Sequence, residues 1–153
     1  MIRTERRLRL CRVLILLILA FIWGNSLLPA EVSHAFSEWA KRMLARFLTG
    51  DSPVTEEDSG LLRKIAHFAE FGALGFCLAW RGGMMGKGFG RTFLSGAAVA
   101  VLDETIQCFV PDRGSSIRDV LLDSGGVLTG MLLLYLGHTI LKKRKTNITI
   151  FGG

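Results

Sequence analysis

Eight polar side chains fall in three short strings of an otherwise apolar chain. They are Lys64, His67 and Glu70 in RKIAHFAEFGALG, Asp103, Glu104 and Gln107 in AVLDETIQCFVPDR, and Asp119 and Asp123 in IRDVLLDSGG. These residue types suit acid–base chemistry. Asp103 or Glu104 can act as a general base with His67 as its proton partner, and Asp119 is a further candidate catalytic carboxylate. Lys64 or Arg113 can hold an anionic group, with Gln107 and Asp123 as additional substrate contacts. Oxygen ligands from Asp103, Glu104, Asp119 and Asp123 also suit a hard divalent cation such as Mg²⁺ or Ca²⁺. The chain has no HExxH, nucleophile elbow or phosphate loop to name a reaction.

Helical phase groups these residues. At 100° per residue, Lys64, His67 and Phe71 share a stripe that continues to Gly75. Asp103 and Gln107 are i, i+4 partners with Gly96 and Ala100 on the same face. Asp119 and Asp123 repeat that spacing, and their stripe continues through Gly126 and Gly130, a small-xxx-small pattern that lets helix backbones approach closely. Each helix is thus expected to present one face, polar at one end and small below.

The elements that carry these faces are read as membrane spans. The chain has 153 residues, half of them hydrophobic, and a mean hydropathy of +0.39. This excludes a disordered chain. Three cysteines without paired spacing exclude a disulfide framework and argue against a cysteine zinc site, so Cys11, Cys77 and Cys108 read as small apolar fillers. About 20 mostly apolar residues cross a bilayer, and four stretches qualify: residues 8–28, 61–80, 91–110 and 117–141. The first also resembles a signal peptide. It lacks a good small-x-small cleavage site, so an uncleaved anchor is expected.

Charge orients the spans. Segments 1–12, 81–91 and 142–145 hold twelve of the 19 Lys and Arg residues against one acid, Glu5. With four spans all three segments share one side, the cytoplasm, and both termini lie inside. The net charge of +6 is then explained by orientation, with no nucleic-acid partner implied. The polar strings all arrive in the outer half of the bilayer. Ionisable residues there cost roughly 2.5–3.5 kcal/mol each on the insertion scale, which marks a functional site. Residues 82–90, GGMMGKGFG, read as a short inner turn. Outside, residues 33–49 carry Phe36, Trp39, Ala40, Met43, Leu44, Phe47 and Leu48 at helical spacing, an expected interfacial helix. The whole chain, residues 1–153, reads as one all-α domain, a four-helix transmembrane bundle.

The strings K-x-x-H-F-x-E-F at 64–71, D-E-x-x-Q-x-F-x-P-x-R at 103–113 and R-D-x-x-x-D-x-x-G at 118–126 together resemble the VanZ-like family. These are small bacterial membrane proteins named for one that raises tolerance to the glycopeptide teicoplanin. The resemblance covers roughly residues 20–140 and includes Ser26 at the end of the first span. Phe71 stands where the family often has Tyr, and Asp123 where Asn is also common. The resemblance implies a multi-pass protein of the bacterial plasma membrane with an envelope role, surrounded by membrane lipids, and names no reaction. Three functions follow in order. The first is an outward-facing site that binds or modifies a lipid headgroup or lipid-linked envelope precursor. The second is a proton- or ion-coupled transporter subunit, and the third a non-catalytic membrane scaffold.

Overall fold

A computed structural model describes residues 2–29, 32, 35, 56–111 and 113–151. The described residues form four helices and no strand: α1 (Ile2–Leu27), α2 (Glu56–Met84), α3 (Phe89–Gln107) and α4 (Ile117–Phe151). Apart from residue 35, the expected interfacial helix at 33–49 lies outside the described residues.

Helix bounds differ from the hydropathy reading for local reasons. α2 runs through residues 81–84 and closes at Gly86, the one described glycine with positive φ (66°). Lys87 N donates to Gly82 O at 2.9 Å and Gly86 N to Gly83 O at 3.4 Å, the paired bonds of a Schellman cap that glycine permits. The expected inner turn is therefore shorter than residues 82–90. α3 stops at Gln107 rather than 110, because Pro111 disfavours helical geometry in the residue before it. The 35 residues of α4 extend about 52 Å, well beyond a bilayer's roughly 30 Å of hydrocarbon.

Small residues set the packing. α4 lies most extensively against α2, and a Cβ on Gly130 would collide with the Gly72 carbonyl oxygen. A Cβ on Gly126 would sit 2.5 Å from Phe68 O. Val127, between those two glycines, fits between α2 and α3, where Gly75 and Gly96 leave room for it. Phe71, Leu74, Ala100, Val127 and Met131 are buried around this contact, with Ile22 of α1 closing the other side. Cys11 and Cys77 are buried as expected of fillers, whereas Cys108 is exposed. It lies one residue past the end of α3, where the chain turns away from the bundle.

The distribution of polarity is inverted relative to a water-soluble protein. Leu16 is 64 %, Leu94 67 % and Leu121 68 % exposed, whereas Ser26 and Asp103 are fully buried. Water would drive the opposite arrangement. Among the described residues, two helices are long and apolar enough to cross a membrane, over Thr4–Leu27 and Ile117–Lys142. α2 and α3, which carry two of the three polar strings, do not meet that measure.

Candidate functional site

The polar residues meet at the end of the bundle where α1 and α3 finish and α2 and α4 begin. Three helices contribute the centre. His67 from α2, Asp103 from α3 and Asp123 from α4 each offer a ligand atom, and these atoms lie within 4.8 Å of one another. Asp103 is fully buried and Asp123 only 2 % exposed. The Oδ1 atoms of both are buried without a hydrogen-bond donor. A buried polar atom without a partner is rare and calls for an explanation.

The remaining contacts hold these groups in place. Gln107 Nε2 donates to Asp103 Oδ2 at 2.9 Å and to Ser26 Oγ at 3.3 Å, joining α3 to the end of α1. Asn25 Nδ2 donates to Glu70 Oε1 at 3.4 Å, and Glu70 Oε2 lies 4.0 Å from His67 Nδ1. Glu104 Oε2 accepts the Ser116 backbone N–H at 2.9 Å, which fixes the loop entering α4. Arg113 Nη1 donates to the Ser26 carbonyl at 3.3 Å. Burial draws the Arg113 pKa below its ordinary value, as does Arg63, while Asp103 and Glu104 oppose the shift. A guanidinium stays protonated regardless.

A cavity of about 20 Å³ opens beside the centre, lined by Arg63, Lys64, His67, Glu104, Gln107, Asp119, Leu122 and Asp123. Of the eight residues singled out from the sequence as site candidates, six line this cavity. Asp103 is buried next to His67 and Asp123, and Arg113 reaches the Ser26 carbonyl from the loop before α4. The candidates do not play one role. Lys64 is exposed and Asp119 half-buried at the rim, where the first turn of α4 favours a carboxylate in any case. Glu104 is engaged by the backbone. The converging set therefore differs from the all-carboxylate group proposed for a cation: it contains His67 and omits Glu104 and Asp119.

Sequence reasoning missed Arg63 and Asn25. Arg63 precedes His67 by four residues, so spacing alone places it on the same face. Asn25 carries no comparable signal, since its contact with Glu70 joins residues 45 apart in sequence. Gln107 provides a direct check on the site's integrity. Gln107→Leu removes the donor shared by Asp103 and Ser26. The expected loss is about 1–3 kcal/mol, read as a lower midpoint for thermal unfolding in detergent.

An apolar exterior around enclosed polar groups from several helices defines a membrane protein with a buried polar site. The chain belongs to the VanZ/LLP1 family, whose model matches residues 12–140. It is a membrane protein of the VanZ type. No curated protein and no solved structure matches it.

Proposed function

We propose that this chain crosses the bacterial plasma membrane four times, with both termini in the cytoplasm, and binds the anionic headgroup of an outer-leaflet lipid or lipid-linked envelope precursor. One observation carries the reading. A buried polar centre opens through a small cavity whose rim holds Arg63 and Lys64, with Arg113 beside it. Basic side chains at the bilayer edge attract anionic headgroups, and guanidinium groups grip phosphate through paired hydrogen bonds. The cavity is too small to swallow a headgroup, so the headgroup rests on the rim and directs its charged oxygens inward. A transport pathway finds less support. Below the cluster the buried residues Leu74, Ala100, Val127 and Met131 are apolar. The family resemblance links such a role to glycopeptide tolerance.

The test uses purified full-length protein and two lipids. Phosphatidylglycerol should be retained in preference to phosphatidylcholine when the protein is stripped and challenged with both in detergent. The double variant Arg63→Gln, Lys64→Gln should lose the preference. Equal retention of both lipids by the wild type would overturn the reading.

A further inference from the structure

We propose that His67, Asp103 and Asp123 bind one divalent metal ion of the Zn²⁺ class. This deepens the headgroup reading, on which its functional meaning rests, because a bound cation gives the site an open position for an anionic oxygen.

Three independent features point to a cation. The ligand atoms come from three different helices and converge within 4.8 Å, so the arrangement is tertiary and not a run of acids along one surface. Asp103 and Asp123 are almost completely buried, and each has an Oδ1 that no donor satisfies. Two such carboxylates repel in a medium that screens poorly. A divalent ion between them satisfies both orphaned oxygens and neutralises the pair. The third feature is the support behind His67. Its Nδ1 faces Glu70 Oε2 at 4.0 Å, and Asn25 holds the other Glu70 oxygen. A metal-binding imidazole commonly hydrogen-bonds its second nitrogen to a carboxylate, which fixes the ring and raises its basicity. Here His67 Nδ1 and Glu70 Oε2 are both buried without a hydrogen-bond partner, and a small approach from 4.0 Å would pair them. The proposal therefore takes Nε2 as the ligand and Glu70 as a positioning residue.

Donor type and space select the ion. One imidazole and two carboxylates form a mixed nitrogen and oxygen set, which suits first-row divalent ions better than Ca²⁺ or Mg²⁺. Three protein ligands leave Zn²⁺ one position for water or substrate. A cavity of about 20 Å³ has room for a water or so, and not for the several waters that Mg²⁺ retains. With metal–ligand bonds of about 2.1 Å, tetrahedral ligands lie roughly 3.4 Å apart, so the widest-set pair closes by up to about 1.4 Å on binding. Side-chain rotation supplies such a movement.

The experiment starts from full-length protein in detergent, made metal-free with a chelator. Titration with Zn²⁺ should show one ion per chain and raise the midpoint of thermal unfolding, while Mg²⁺ and Ca²⁺ leave the Zn²⁺ isotherm unchanged. Asp103→Asn and Asp123→Asn should each weaken binding by more than about 100-fold, beyond the roughly 10–100-fold cost of disturbing a supporting residue expected for Glu70→Gln. Co²⁺ added to the metal-free wild type should give the visible bands of a low-coordinate ion, a signature that requires no variant to fold. The proposal fails if the wild type takes up neither Zn²⁺ nor Co²⁺. It also fails if both aspartate variants bind Zn²⁺ as the wild type does. A wild type that prefers phosphatidylglycerol but takes up no metal would sink the metal site and leave the headgroup reading standing. A wild type that binds the metal but shows no lipid preference would do the reverse.

Discussion

Gly130→Leu should destabilise the bundle by about 3 kcal/mol or more, at or above the upper end of what overpacking costs. The expectation rests on what the new side chain meets. The first added carbon collides with the Gly72 carbonyl oxygen and comes within 2.9 Å of Phe76 N. These are main-chain atoms of α2, which cannot rotate aside as a flexible side chain would. α4 must then move away from α2, and that displacement reaches the site, because Asp123 lies two turns up the same helix. Gly137 supplies the control, since a Cβ there meets nothing within 4 Å. Gly137→Leu should leave the unfolding midpoint in detergent nearly unchanged. Similar losses from both substitutions would show that the Gly130 face is not the tight contact of this bundle.

That glycine illustrates how far the sequence carries the fold. Gly126 and Gly130 stand out by their spacing, so the close-packing face of α4 is readable without coordinates. Its partner is not, because hydropathy does not encode the rotation of α2 that brings Gly72 against it. The same limit governs the site. Ionisable residues in apolar segments mark the polar strings, and helical phase assigns each to a face. Asp119 and Asp123 then look equivalent at i, i+4. In the structure one turn of depth separates them, Asp123 among the helices and Asp119 at the rim. The grouping of His67 with Asp103 and Asp123 depends on the mutual rotation of three helices, which no single segment specifies. Ser26 was legible only through the family resemblance. It is a common residue at a helix end, and only burial against Gln107 gives it a role.

The orientation proposed for the site leads to an all-or-none expectation. In a variant whose three native cysteines are replaced, Lys64→Cys should react with a membrane-impermeant thiol reagent added outside intact cells. The same reagent confined to the cytoplasmic face of inverted vesicles should leave it unlabelled. Lys64 suits the purpose because it is exposed and lines the cavity mouth, while the hydrogen bonds that hold the centre together are donated by other residues. The geometry separates the two faces widely. Asp103 is four residues from the end of α3 at Gln107, about 6 Å along the helix, whereas Arg91 at the opposite end lies about 18 Å away. Between them Gly96 and Ala100 pack against α4, with Val127 filling the gap left by Gly96. Water and headgroups reach a depth of one or two turns from the near surface, but the packed apolar segment separates the cluster from the far one. In the proposed topology, which rests on twelve basic residues against one acid in the segments assigned to the cytoplasm, that far surface lies inside the cell. Labelling from the cytoplasmic face alone would invert the topology and with it the outward-facing site, since a headgroup held at Arg63 and Lys64 would then belong to the inner leaflet.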